Sequence, residues 1–142
     1  MASRFELGVV GASGSIGAAQ WELRAGSADP IWVREVGIFL NAATASSFTL
    51  GKAANTPAGG SVALGVPVNQ VTNPAGGITT TWSTAPTAPT AIVRRILLPA
   101  AIGNGIIWTF QGDGLLIPAS GNLVLWNLAA SSIASCYVVW EE

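Results

Sequence analysis

Apolar and polar residues alternate with a period of two through most of the chain. The alternation occurs in short runs rich in β-branched and aromatic residues, and glycine, proline and asparagine residues bound these runs. Nine runs have this pattern: 5–10, 31–40, 61–68, 78–84, 92–98, 106–110, 115–117, 122–128 and 132–140. The pattern predicts an all-β fold, a single antiparallel β-sandwich of jelly-roll-like arrangement that spans residues 1–142 as one domain.

Two of these runs allow more detailed predictions. In the run 31–40, alternation places Trp32, Arg34 and Val36 on one face, together with the apolar residues that follow. Between the runs 106–110 and 115–117 the chain reads QGDG. Because Asp-Gly suits a type I′ turn, this stretch predicts a β-hairpin.

Residues 8–17, GVVGASGSIG, resemble the glycine-rich turn that holds the pyrophosphate of a dinucleotide. That fold needs crossover helices and an acidic residue after its second strand, but here the second strand ends at Asn41, and no amphipathic helix follows. Residues 15–26 fit either a capped helix or a strand, and the β surroundings favour the strand. We therefore expect a flexible turn between two antiparallel strands, and no cofactor. Its glycines are Gly11, Gly14 and Gly17.

The residue types that most enzymes use are scarce. There is no histidine, and the one cysteine, Cys136, alternates with Val138 and Trp140, which predicts a small buried residue. Asp29 and Asp113 lie in predicted turns, and no pair of acidic residues is spaced like a glycosidase pair. The sequence therefore predicts no catalytic and no metal-binding residues, and a protein that is not an enzyme.

Charge is equally sparse, with six basic and seven acidic residues among 142 and a net charge of −1. No bulk field attracts nucleic acid or an anionic membrane, so neither is an expected partner. Arg94-Arg95 is the only adjacent basic pair. Since neighbouring strand residues point to opposite faces, we expect one to be solvated and the other to form a salt bridge at an interface. The apolar stretches are too broken by proline, glycine and asparagine for a membrane-spanning helix, and no secretion signal is visible.

The six tryptophans lie in separate predicted strands and allow two interpretations. Exposed tryptophans bind sugar rings in many β-sandwich carbohydrate-binding modules, whereas buried ones serve core or interface packing. Trp126 shares its face with Val124 and Leu128, which predicts a core position. The other five are Trp21, Trp32, Trp82, Trp108 and Trp140.

Residues 53–90 differ from the rest of the chain in composition. They are proline-, threonine- and glycine-rich, and from Ala53 onward they carry no charge. The near-repeat TAPTAPT at 84–90 favours extended or polyproline II backbone. The segment is either a surface loop or an arm that lies on a neighbouring chain. Together with the low charge, it indicates a building block whose surface is partly covered by other chains.

Two parts of the chain resemble small virion structural proteins of tailed bacteriophages. Residues 81–142 are similar to the C-terminal half of such proteins, through Trp82, the Pro-Thr spacer, Arg94-Arg95 before a strand, Trp108 in IIWTF, LLIP, LVLWN and the terminal acidic pair. Residues 33–53 are similar to the N-terminal half.

The resemblance implies a capsid decoration, or cement, protein. Such a protein is a β-sandwich that assembles as a homotrimer on the major capsid protein of the phage head, and it would be found in the virion after assembly in the host cytoplasm. Its contacts across the joints between capsid subunits would stabilise the shell. The alternative is a tail or fibre module that binds host-surface glycans through exposed tryptophans.

Overall fold

The computed structural model describes residues 2–69, 73–129 and 132–142. In these ranges the chain forms strands, turns and loops, and no helix. The strands are β1 (Arg4–Val10), β2 (Ala19–Arg24), β3 (Ile31–Leu40), β4 (Ser46–Lys52), β5 (Ala63–Leu64), β6 (Val66–Pro67), β7 (Gly77–Thr79), β8 (Ala91–Leu98), β9 (Gly105–Thr109), β10 (Leu115–Ile117), β11 (Asn122–Asn127) and β12 (Ala134–Glu141).

The strands form two antiparallel sheets that pack against each other. Sheet I has the order β10-β3-β12-β1-β6, and β9 also pairs with β3. Sheet II has the order β5-β7-β2-β11-β4-β8. The predicted all-β antiparallel sandwich is therefore confirmed, and the segment 15–26 contains a strand, β2, as favoured over a helix.

The main core lies between the two sheets. Its largest fully buried side chains are Trp21 and Phe48 from sheet II and Phe5 and Trp140 from sheet I. The rings of Phe5 and Trp140 are tilted at a centroid distance of 6.1 Å. Burial of each such side chain contributes about 1.5–3 kcal/mol to stability, so this interior holds the sheets together.

Strand β3 changes the phase of its alternation near its middle. Its buried apolar side chains are odd-numbered at the start and even-numbered at the end: Ile31, Val33, Val36, Ile38 and Leu40. The pairing with β12 shifts between Val139 and Trp140, which leaves Arg34 as an extra residue of β3, as in a β-bulge. The prediction that Trp32 shares the face of Val36 is therefore wrong, because one extra residue moves the following side chains to the opposite face.

The hairpin predicted around Asp113 is not formed. Strand β9 pairs with the second half of β3 and β10 with its first half, both antiparallel to it. The two strands therefore run in the same direction along one edge of β3, and residues 110–114 form an excursion between them. The excursion lies opposite the bulge, where the backbone N–H of Phe110 donates to the carbonyl of Arg34 at 2.9 Å.

Two other strand predictions need correction. Strand β4 was not predicted, although it lies inside sheet II and its Phe48 and Leu50 are fully buried. The predicted strand 61–68 is divided into β5, which pairs with β7 in sheet II, and β6, which pairs with β1 in sheet I. Between them Gly65 crosses from one sheet to the other and closes one side of the sandwich.

A second apolar cluster lies on the outer face of sheet II. It contains Ala19, Val124 and Trp126, and Trp82 and Leu128 pack against it. Trp126 is thus buried as predicted, but beneath the segment 53–90 and outside the main core. Apart from residues 70–72, which lie outside the described residues, that segment supplies β5, β6 and β7 to the two sheets of its own sandwich, and its Trp82 packs on sheet II.

The other side of the sandwich is open between β8 and β9. Strand β8 pairs only with β4, so the backbone groups along its second edge have no partner strand in the described part of the chain. Leu97 on β8 is 71% exposed, and Ile102 in the following loop is 74% exposed. Ile106 and Phe110 are only partly buried at this opening. Apolar side chains therefore face solvent along this side.

Candidate functional site

The glycine-rich turn connects the two sheets. Strand β1 belongs to sheet I and β2 to sheet II, so the turn does not join two neighbouring antiparallel strands as expected. The backbone N–H of Gly11 donates to the carbonyl of Ala134 at 2.9 Å, and that of Gly17 donates to the carbonyl of Asn127 at 3.0 Å. These two N–H groups are thus engaged by the protein itself, unlike those of a phosphate-binding turn.

Two buried amides hold this turn in place. Gln20 Nε2 donates to the carbonyl of Ser13 at 2.7 Å and to Asn127 Oδ1 at 3.0 Å. Asn127 Nδ2 donates to the carbonyls of Ser13, at 2.7 Å, and Ser15, at 3.0 Å. Both amide side chains are fully buried. These hydrogen bonds hold the glycine-rich turn in one conformation, so Gln20 and Asn127 have a structural role here.

Glu22 is a buried carboxylate on the outer face of sheet II. It accepts hydrogen bonds from Arg24 Nε at 2.6 Å, Trp82 Nε1 at 3.0 Å and Asn122 Nδ2 at 3.0 Å. Arg24 Nη1 also donates to the carbonyl of Gly59 at 3.1 Å. Because Trp82 and Gly59 belong to the segment 53–90, these bonds tie the segment to its own sheet.

Glu141 joins three strands of sheet I. Arg4 on β1 and Arg34 on β3 form ion pairs with it from either side, at 2.8 and 2.5 Å. The hydrogen bond from Arg34 is the largest cause that lowers the pKa of this carboxyl below its ordinary value, and Arg4 adds to the effect. Glu142, the other residue of the terminal acidic pair, accepts hydrogen bonds from the backbone N–H groups of Ala75 and Gly76. Both acidic residues therefore bond to other parts of the fold.

Cys136 is a core residue, as predicted. It is buried and free of disulfide bonding. Burial raises the pKa of its thiol to about 12, and the neighbouring Trp21 opposes this only in part. A thiol with such a pKa is almost entirely protonated at neutral pH and is a poor nucleophile.

Most tryptophans serve packing. Trp21, Trp108, Trp126 and Trp140 are buried. The indole N–H of Trp82 donates to Glu22. Trp32 is partly exposed and lines a pocket. That pocket has a volume of about 320 Å³ on the outer face of sheet I, and it is also lined by Ala2, Arg34, Asp113 and Glu141.

A groove lies beside Tyr137 on the same outer face of sheet I. Tyr137 is in register with Gly8 on β1 and Gly37 on β3. Its ring covers Gly37, where a Cβ atom would lie 2.1 Å from Tyr137 Cε1. Over Gly8 the surface is open, and the groove there has a volume of about 340 Å³. We call it the Tyr137 groove; its lining residues are Glu6, Leu7, Gly8, Val66 and Tyr137.

The Tyr137 groove combines an aromatic wall with negative charge. The Tyr137 hydroxyl donates to Glu35 Oε1 at 2.5 Å. Desolvation, and after it the hydrogen bond and charge of Glu35, raise the pKa of Tyr137 to about 12, so the phenol keeps its proton at neutral pH. Glu6 is exposed on the opposite side of the groove. None of the groove-lining residues is cationic, so the groove suits a positively charged group.

The adjacent arginines of β8 point to opposite faces, as predicted. The guanidinium of Arg94 lies 5.0 Å from the centroid of the Phe110 ring, at the open side of the sandwich. Arg95 pairs with Thr49 and is exposed on the outer face of sheet II. The ion pairs found among the described residues involve Arg4, Arg24 and Arg34, so the salt bridge expected for one residue of the pair is not made within the described chain.

Sequence reasoning missed the Tyr137 groove. Its elements come from β1, β3, β6 and β12, which only the sheet order brings together. One local signal existed in Gly37, because glycine inside a strand often marks the close approach of another group. Here that group is the ring of Tyr137.

In the described ranges, no group of three or more Cys, Asp or Glu side chains is placed to hold a metal ion. The same ranges contain no helix with the length and apolar composition that a membrane crossing requires. No family model, curated protein or solved structure matches this chain.

Proposed function

We propose that this chain is a structural protein of a bacteriophage virion and acts as a decoration protein of the head. It would assemble as a homotrimer and dock on the major capsid protein across the joints between subunits. Its contribution is mechanical: contacts made only in the assembled shell raise the free energy needed to separate the subunits.

The observation that carries this proposal is the exposed apolar surface. Large apolar side chains are exposed along the free edge of the sandwich, at Ile92, Leu97, Ile102 and Ile107. Others are exposed along the segment that follows β4, at Val62, Leu64, Val66 and Val68. A soluble monomer rarely exposes an apolar patch larger than a few hundred Å². Such a surface fits a protein that works while covered by other chains. The resemblance of residues 33–53 and 81–142 to phage virion proteins is the reason for proposing that those chains belong to a phage particle.

Quantitative mass spectrometry of purified virions tests this function. We expect a copy number comparable to that of the major capsid protein, and we expect the protein to stay with heads after they are separated from tails. Removing the protein should lower the temperature at which heads release DNA, and adding the purified chain back should restore it. Absence from heads would contradict the proposal.

The glycan-binding alternative has one supporting observation, the pocket beside Trp32. A partly exposed indole next to Arg34 and Asp113 offers a stacking surface and polar groups for a sugar. This function predicts a few copies per particle, located at the tail. It also predicts binding on a glycan array that Trp32→Ala abolishes. Trp82→Ala is the control, because Trp82 is bonded to its own chain, and this variant should still bind the glycan.

A further inference from the structure

We propose that the Tyr137 groove of one copy receives Arg95 of a second copy. The contact is head-to-tail, because it joins two different surfaces of the same chain. The inference deepens the proposed structural function by naming the surfaces through which the copies associate.

Charged residues are unevenly distributed over the described part of the chain. Glu22 and Glu141 engage Arg24, Arg4 and Arg34 in ion pairs. The other cations of the described residues lie on two adjacent strands, with Lys52 at the end of β4 and Arg94 and Arg95 on β8. Glu6 and Glu35 lie on the outer face of sheet I and flank Val139 in register. The outer face of sheet I is therefore acidic around Val139, whereas Arg95 is an exposed cation on the outer face of sheet II.

Arg95 shares its face of β8 with two apolar residues. Ile92, Arg95 and Leu97 pair with Gly51, Thr49 and Ser47, which alternate with the inward-facing Phe48 and Leu50. The three residues therefore share the outward face of β8, and we call them the β8 ridge. Ile92 and Leu97 are exposed large apolar side chains on either side of the guanidinium.

The β8 ridge and the Tyr137 groove are complementary in chemistry. A guanidinium packs well on an aromatic face and forms strong hydrogen bonds with a carboxylate, and Tyr137 and Glu6 offer both. Val66, exposed at the wall of the groove, provides apolar surface for Ile92 or Leu97. Gly8 leaves the floor open, since the nearest atom to a Cβ there would be 3.9 Å away.

The same charges disfavour pairing of two β8 edges. In an antiparallel pair centred on β8, the arginines of the two copies would come close together, and like charges opposite each other are destabilising. The ridge therefore fits the acidic groove better than it fits a second ridge. Head-to-tail contacts form a ring when the rotation between copies closes, and the proposed homotrimer is such a ring.

Two variants test the contact by sedimentation velocity at micromolar concentration. Arg95→Glu reverses the charge of the ridge, and Gly8→Tyr fills the groove. Each variant alone should raise the dissociation constant of the oligomer by about tenfold or more. The Arg95→Glu variant keeps an intact groove, and the Gly8→Tyr variant keeps an intact ridge. An equimolar mixture of the two should therefore form a heterodimer through this one contact and no larger species.

Arg94→Glu is the matched control. It makes the same charge reversal one residue away, but Arg94 faces Phe110 at the open side, so association should stay close to wild type. Circular dichroism and thermal unfolding establish that each variant is folded. The inference is overturned if the wild type is monomeric, if a folded ridge or groove variant associates like wild type, if Arg94→Glu weakens association equally, or if the mixture forms no heterodimer. The copy number in virions tests the proposed function separately.

Discussion

Individual buried polar residues hold one conformation in a loop whose glycines would otherwise allow many. The loop between β1 and β2 consists of small residues apart from Ile16, and three of them are glycines. Gln20 and Asn127 satisfy its carbonyl groups from below, and Gln20 also donates to the carbonyl of Ser132 at 3.2 Å. A buried acceptor without a donor costs about 1–3 kcal/mol, so this network strongly favours one loop conformation.

Gln20→Met should therefore destabilise the fold. The substitution keeps the approximate shape of the side chain but removes the Nε2 donor from the carbonyl of Ser132 and from Asn127 Oδ1, and leaves the carbonyl of Ser13 with only its bond from Asn127. We expect the free energy of unfolding, measured with denaturant, to fall by about 2–3 kcal/mol. Gln111→Met, at an exposed position, should change it by less than about 0.5 kcal/mol. Equal effects of the two substitutions would contradict the role of the network.

Single positions were predictable where the alternation is unbroken. The burial of Cys136 follows from the regular pattern of β12, in which every second side chain faces the core. The position of Trp32 was not predictable, because the bulge at Arg34 appears only in the pairing with β12. The Tyr137 groove was missed for a similar reason, since its residues are distant in sequence.

Gly65 connects β5 of sheet II to β6 of sheet I. It is buried between β5 and β6, and a Cβ there would lie 2.4 Å from Trp140 Cζ2 and 2.9 Å from Phe5 Cβ. Both aromatic side chains are fully buried, so neither has free space into which to move. The crossing that closes this side of the sandwich therefore depends on the absence of a side chain.

Gly65→Ala should lower the free energy of unfolding by about 1–3 kcal/mol, the usual cost of overpacking a core. Gly8→Ala is the matched control, because Gly8 lies in β1 with room for a Cβ, and it should be close to neutral. Both are measured by denaturant unfolding at the same protein concentration. A neutral Gly65→Ala would show that the crossing tolerates a side chain.

The ion pairs of Glu141 connect β1, β12 and β3 and make stability depend on pH. Its pKa in the folded state is lower than its ordinary value of 4.5, mainly because of the hydrogen bond from Arg34. The unfolded chain therefore binds this proton more readily than the folded chain. The stabilisation is fully present above the unfolded pKa and is lost as the pH falls through the folded pKa.

Glu141→Gln should accordingly flatten the acid side of the stability profile. Between about pH 5 and about pH 3, the wild type should lose more stability than the variant, because only the wild type loses this carboxylate. Thermal unfolding across that range measures the difference. Parallel profiles would exclude Glu141 as a source of the acid sensitivity.

Most elements were predictable from alternation, but their partners were not. Strand β4 escaped prediction because Ser46, Ser47 and Thr49 give it a polar composition, although Phe48 and Leu50 alternate within it. The hairpin prediction failed because the long strand β3 offers pairing positions to both β9 and β10. Pairing between distant segments outweighed the turn preference of Asp113-Gly114.

At the scale of the whole molecule, the surface is divided by chemistry. Carboxylates beside Tyr137 lie on sheet I, while cations and exposed apolar side chains follow β8 on sheet II. The segment 53–90 is tied to its own sandwich through Glu22, Arg24 and Asn122 in the part that the structure describes. This division of the surface supports the proposal that the chain associates with further copies of itself.

Sedimentation equilibrium of the wild-type protein over a range of micromolar concentrations measures whether the chain associates. We expect a closed homotrimer of about 43 kDa, three times the chain mass of 14.4 kDa, with a mass that stays constant as concentration rises. A single species of 14.4 kDa that persists at the highest concentrations would overturn the proposed assembly.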